Sequence, residues 1–325
     1  MPATTPSALI QRNNLIGAAC ALAAVICFSI NDVGIKFLST DYALHQVVFL
    51  RTLVGLTTFL AVILPFSGGL KVIRTRRLKA HLLRGFFVVF ANMSLFLGLA
   101  ALPIADAVAI YFISPLAISL MSVVFLGETV GPRRWTAIAV GFIGVMVIVR
   151  PGTSAFQVAS LLPALAALLY GSMHMMTRKI RATESAATMT FYILLMFLTT
   201  SALFGLMLGH GRFAGGAHPS LEFLLRAWSP VRPGDIPIIA MLGVSGVTGG
   251  LLIGQAYRLS EAAFAAPFEY VAMPMAIMWG VTVFGTWPVP TAWIGIVLIL
   301  ASGLFLLWRE SARGEVRDAP FRPRP

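Results

Sequence analysis

Two pairs of ionisable residues lie deep inside long apolar stretches, where their types and spacing have chemical consequences. Asp32 stands about six residues before the end of the first stretch and Arg51 about eight residues into the second, so their depths match. There they form either a structural ion pair locking two helices or the polar lining of a water-filled site, with Asn31 and His45 close by and Lys36 nearer the boundary. His174 and Glu269 match in depth nearer the opposite boundary. An imidazole titrates near neutral pH and exchanges protons with a carboxyl, which makes this pair the candidate for proton coupling. Its structural alternative is a hydrogen-bonded histidine beside a glutamate anchored to a neighbour such as Arg84. Asn92 and Gln255 are mid-stretch amides, able to bind a substrate or to bond a neighbouring helix.

Metal and covalent chemistry find little support. The histidines, at 45, 81, 174, 210 and 218, are scattered, and no loop carries two neighbouring acids, so a metal site, a cofactor or a membrane-embedded enzyme is not expected. Gly243, Gly246, Gly249, Gly250 and Gly254 follow no strand and precede no Lys-Ser/Thr, so they point to close helix packing rather than a nucleotide loop. Cys20 and Cys27, seven residues apart on a helix, are separated by about 10.5 Å of rise, too far for a disulfide.

The elements that must hold these residues follow from composition. Of 325 residues, 58% are apolar and only 11% charged, with a mean hydropathy of +0.88. A soluble domain carries about a quarter charged residues. The chain is therefore expected to be an all-α integral membrane protein of ten spans, roughly 14–38, 43–66, 80–101, 104–127, 132–149, 157–180, 186–209, 235–257, 262–285 and 290–308. The first is too long for a signal-peptide core and is expected to remain as a span. The segment 210–234 is polar and broken by prolines, and residues 309–325 have the composition of a disordered basic tail.

The net charge of +12 might suggest nucleic acid, yet its distribution has another meaning. With residues 1–13 placed in the cytoplasm, seventeen Lys and Arg fall in inside segments and five outside, the bias that sets membrane topology. Both termini are then cytoplasmic, and no nucleic-acid partner is expected. Trp135 and Trp308 fall at one interface, Trp287 and Trp293 at the other.

The chain also repeats. Ala23–Ser29 aligns with Ala166–Ser172 at an offset that also puts Lys36 on Lys179 and Asn31 on His174. A second offset puts Tyr111-x-x-x-Pro115 on Tyr270-x-x-x-Pro274 and Gly144 on Gly303. Five spans are an odd number, so a second copy enters from the opposite face, giving inverted five-helix repeats over 14–150 and 151–308. Pro115, Pro163, Pro267 and Pro274 are expected inside spans, with the repeat-matched Pro115 and Pro274 as hinges.

Ser29-Ile-Asn-Asp-Val-Gly-Ile-Lys36, Phe49-Leu-Arg51, His81-Leu-Leu-Arg84-Gly85, the Pro115 segment closing on Gly127-Glu128, and Ala265-Ala-Pro-Phe-Glu-Tyr270 together resemble the EamA-type members of the drug/metabolite transporter superfamily. The resemblance is greatest to the bacterial uptake branch that includes riboflavin and S-adenosylmethionine transporters. The second half departs from the pattern in having Gly285-Thr286-Trp287 where the first has a Gly-Glu pair. What the resemblance implies is a secondary transporter of the bacterial inner membrane, monomer or homodimer, working by alternating access on a small organic metabolite. It places Tyr111, Tyr170, Tyr270 and Trp279 on spans that build a central cavity, where aromatic rings suit a planar heterocycle such as riboflavin.

Overall fold

The computed structural model describes residues 6–114, 116–117, 121, 132–153, 156–180, 183–216, 218–259 and 268–314, and every regular element among them is helical. In chain order these are α1 (Pro6–Leu38), α2 (Leu44–Thr58, carried on through a π turn to Phe66), α3 (Leu78–Ala101), α4 (Ile104–Tyr111), α5 (Pro132–Val149), α6 (Leu161–Ile180), α7 (Ala186–Leu208), α8 (Pro219–Leu225), α9 (Ile236–Leu259), α10 (Ala272–Phe284) and α11 (Pro290–Gly314). Five helical stretches are long and apolar enough to cross a membrane: Leu15–Leu38, Leu44–Phe66, Leu78–Ala101, Ala186–Leu208 and Pro233–Ala256. Shorter apolar helices occupy Trp135–Val149, Val158–Met173, Ala272–Phe284 and Pro290–Phe305. These helices expose large apolar side chains, Leu53, Val62, Leu203 and Leu206 among them, a surface that suits lipid.

Local chemistry fixes several boundaries. The Ser185 hydroxyl accepts the Thr188 N–H at 3.0 Å and so satisfies a first-turn donor of α7. At the far end of α10, Gly285 turns left-handed at φ +62°, a conformation glycine adopts without a Cβ clash, and stops the helix. Two boundaries differ from expectation. α1 already begins at Pro6, inside the expected N-terminal segment, and α11 runs on to Gly314, past the expected start of the tail; residues 315–325 lie outside the described residues. The connection 210–234 is not simply irregular either, since α8 forms within it and packs on α3.

Two helix pairs make the most extensive contacts, α1 with α9 and α3 with α6. α2 lies against both α9 and α7, and α7 in turn against α3; α4 meets α10, and α5 meets α11. Small residues permit the close approaches. A Cβ on Gly295 would come within 2.6 Å of the Gly144 carbonyl oxygen, and one on Gly98 within 2.8 Å of the Pro163 ring. With Gly141 beside Ser302 and Gly144 beside Gly295, α5 and α11 run antiparallel, which puts Trp135 and Trp308 at one end of the pair and Trp293 at the other. Gly303 admits Tyr270: a Cβ there would overlap the Tyr270 hydroxyl.

The prolines fall differently from the expectation that they interrupt spans. Pro163 and Pro274 each occupy the first turn of a helix, where an N–H would have no intrahelical acceptor in any case. Pro115 and Pro267 lie outside the described residues.

Candidate functional site

Arg51 is the centre of the polar interior. It lies two turns into α2, is 8% exposed, and donates from Nη1 to the Asn31 Oδ1 at 2.7 Å. Asn31, on α1, donates in turn to the Ser245 hydroxyl at 2.6 Å and to the Leu242 carbonyl at 3.4 Å, both on α9. The guanidinium carbon is 4.9 Å from the centre of the Phe96 ring and 5.3 Å from that of Phe197, so the cation is flanked by aromatic rings from α3 and α7. Its Nε is buried with no hydrogen-bond partner. α9 reaches this point because Gly243 has no side chain: a Cβ there would stand 2.6 Å from the Arg51 carbonyl oxygen.

Asp32 attracts Arg51 electrostatically but makes no ion pair with it within 4.0 Å. Ion pairs among the described residues are His81–Glu184, Arg226–Glu222 and Arg232–Asp41. Asn31 therefore takes the direct contact expected of Asp32. Consecutive residues on a helix face different ways, and Asp32 lies within electrostatic reach of Tyr111. Ser29, on the same side of α1, accepts the Trp279 indole N–H at 2.7 Å and ties α10 to α1. Lys36 donates to the Leu99 and Leu102 carbonyls, each at 2.6 Å, capping the end of α3.

Tyr111 and Tyr270 each stand at a break in regular helix. α4 ends at Tyr111, followed by a turn in which the Ile113 N–H bonds the Ile110 carbonyl at 3.2 Å. Tyr270 lies in the turn before α10, where the Val271 N–H bonds the Phe268 carbonyl at 3.2 Å and the Met273 N–H bonds the Tyr270 carbonyl at 3.0 Å. The rings meet across the halves, Tyr111 with Tyr170 at 5.6 Å and Phe112 stacked on Tyr270 at 5.1 Å. Burial leaves the Tyr270 hydroxyl without a hydrogen-bond partner.

Glu269 is half-buried, within electrostatic reach of Tyr111, Tyr170 and Tyr270. Arg84 donates to the Thr177 hydroxyl at 2.7 Å and lies near Tyr170. His174 belongs to α6, but its side chain lies outside the described residues. Asn92 donates to the Val88 carbonyl of its own helix at 3.0 Å, and Gln255 is exposed. Among the described residues, no three His, Cys, Asp or Glu side chains gather in a metal-holding group.

Two sets of long-range contacts escape sequence reasoning. At the bundle end that carries residues 39–43, the segment 226–235 lies across the start of α2. Gln46 exchanges two hydrogen bonds with the Ser229 backbone, Tyr42 donates to Asp235 at 2.5 Å, and Arg232 pairs with Asp41 at 3.1 Å. Burial first, and then the bond to Asp235, raise the Tyr42 phenol above its ordinary value. At the opposite end, His81 meets Glu184 at 3.2 Å and stacks on Tyr192, while Glu184 accepts the Thr75 hydroxyl at 2.8 Å. The only sequence signal for either is a clustering of polar side chains in segments too short or too broken to span a membrane.

Comparison with known proteins agrees with this architecture. The EamA-like transporter family matches residues 15–150. A riboflavin transporter of Rhizobium johnstonii is 31% identical, covering 95% of this chain and 96% of its own, and an S-adenosylmethionine uptake transporter of Rickettsia prowazekii is 26% identical, covering 92% and 95%. One crystal structure superposes with a TM-score of 0.60 at 16% identity, covering 92% of this chain and 98% of its own, which shows a shared fold. The chain belongs to the EamA-like transporter family, a multi-pass membrane protein whose relatives are transporters.

Proposed function

We propose that this chain takes up riboflavin across a bacterial inner membrane by alternating access, without nucleotide hydrolysis. The observation that carries the reading is the 31% identity, over nearly the whole of both chains, with the Rhizobium johnstonii riboflavin transporter. The rings of Tyr111, Tyr170 and Trp279 supply aromatic surface for a flat, fused heterocycle to stack on, and Arg51, held by Asn31, offers a fixed donor to a ring carbonyl. Asp32, Glu269 and His174 are assigned to substrate binding or coupling, and Tyr270 to the wall of the same site.

Ten spans in two inverted repeats, over 14–150 and 151–308, provide the frame. Helix pairing supports this: under the repeat, α1 corresponds to α6, α2 to α7, α3 to α9, α4 to α10 and α5 to α11. The contact of α1 with α9 then maps onto that of α6 with α3, and α2 with α9 onto α7 with α3. The turns at Tyr111 and Tyr270 are the hinges, associated with Pro115 and Pro274. Both termini are cytoplasmic by charge distribution, so the 226–235 segment closes the outer end and the His81–Glu184 contact the inner. The protein acts as a monomer or homodimer, with no nucleic-acid partner and no cofactor.

S-adenosylmethionine uptake is the second reading, favoured by the Rickettsia prowazekii relative and by two acids suited to a sulfonium cation. Expression in a riboflavin auxotroph lacking its own importer separates the two. Growth on low riboflavin supports the first reading; no growth, together with uptake of labelled S-adenosylmethionine, establishes the second.

A further inference from the structure

His45 lies in the first turn of α2, fully buried beneath the 226–235 segment. Its Nδ1 accepts the indole N–H of Trp228, and the two rings stack with centres 6.1 Å apart and planes 21° apart. An indole nitrogen only donates, so Nδ1 is bare, the imidazole is neutral and its hydrogen is on Nε2. That Nε2 lies near the Leu224 backbone but completes no hydrogen bond. We propose that His45 is a proton-operated catch: the outer segment stays closed over α2 only while His45 is neutral, and a proton taken from the outer side onto Nδ1 releases Trp228.

Trp228 is the residue that the catch holds. Its ring lies against Phe49 of α2 with centres 5.6 Å apart, and it fills the space left by Gly205 of α7 and by Gly209 just after it; a Cβ on Gly205 would stand 2.6 Å from it. An imidazolium has hydrogens on both nitrogens. Protonation would therefore set Nδ1–H against the indole N–H and bury a cation whose neighbouring Leu224 backbone completes no hydrogen bond to it.

Charged groups on every side are already engaged elsewhere. Asp41 pairs with Arg232, Glu222 with Arg226, Tyr42 with Asp235, Arg51 with Asn31, and Lys36 with the Leu99 and Leu102 carbonyls. His218 accepts the Ser220 N–H, and His210 that of Arg212. None of these described bonds reaches the His45 ring. Among the described side-chain contacts of residues 226–235 with residues 39–49, His45 is the group whose ordinary titration falls between about pH 5 and 8.

The catch rests on the proposed orientation, and its test reads the segment itself without any substrate. Full-length protein carrying Cys20→Ala, Cys27→Ala and Val48→Cys presents a single thiol on α2 one turn after His45, at a position 3% exposed. In right-side-out vesicles, labelling by a membrane-impermeant maleimide should rise severalfold as the external pH falls from about 8 to about 5. His45→Gln, whose carbonyl accepts the indole N–H at any pH, should label slowly throughout. Trp228→Phe, which keeps a ring and loses the donor, should label fast throughout. A pH profile unchanged in either variant, or absent from the parent, would overturn the proposal; so would pH-dependent labelling found only from the cytoplasmic face. Loss of riboflavin uptake with the labelling pattern intact would count against the substrate alone.

Discussion

Asn31 holds Arg51 by a 2.7 Å hydrogen bond while donating at 2.6 Å to Ser245, so one amide joins α1, α2 and α9 around a buried guanidinium. The amide accepts from one neighbour and donates to the other, a pairing that neither a carboxylate nor an aliphatic side chain supplies. It leaves the adjoining Asp32 free of a direct ion pair and close to Tyr111.

Asn31→Leu should strip the acceptor from Arg51 and the donor from Ser245 together. A buried polar group left without its partner costs about 1–3 kcal/mol, and more when charged. Thermal unfolding in detergent should show a lowered midpoint, and uptake should fall because Arg51 is no longer fixed. An unchanged midpoint would remove the bridge from the account.

The approach of α9 to α2 depends on one missing side chain. Gly243→Val places a Cβ 2.6 Å from the Arg51 carbonyl oxygen and should destabilise by about 1–3 kcal/mol through overpacking. Gly250, with nothing within 4 Å of its Cβ position, should tolerate alanine. Comparing the yields of folded, monodisperse protein for the two variants checks the pair.

Asp32→Asn and Glu269→Gln keep size while removing charge. Each should reduce uptake at least tenfold, the loss of about 1.4 kcal/mol of binding or coupling, while membrane insertion measured by immunoblot stays at the parent level. Uptake at the parent rate in both would take these acids out of the site.

His81→Ala should loosen the inner end. Glu184, whose side chain is 7% exposed, would lose its 3.2 Å contact with the imidazole, and Tyr192 would lose the ring stacked on it. A cysteine introduced near Tyr192 should then become more reactive from the cytoplasmic side.

Much of the frame was legible before the structure. Apolar length locates the long helices, because lipid demands that each backbone satisfy itself. The partner of Arg51 was not legible. Asp32 and Asn31 are adjacent in sequence, depth alone does not separate them, and only the rotation of α1 about its axis decides which one faces α2. The segment 226–235 was hidden for a different reason: its polar residues are what an exposed loop would also contain, and their partners Asp41 and Tyr42, in the turn between α1 and α2, lie about 190 positions away. Pro274 looked like a kink because it falls within an apolar run, whereas the helix begins only at Ala272.

The central claim is carriage of riboflavin, and the most direct measurement is uptake of labelled riboflavin by proteoliposomes containing the purified chain. The account predicts saturable uptake above empty liposomes, competed by unlabelled riboflavin but not by S-adenosylmethionine, and reduced in Asp32→Asn. Uptake no greater than in empty liposomes, from protein that is folded and correctly inserted, would contradict it.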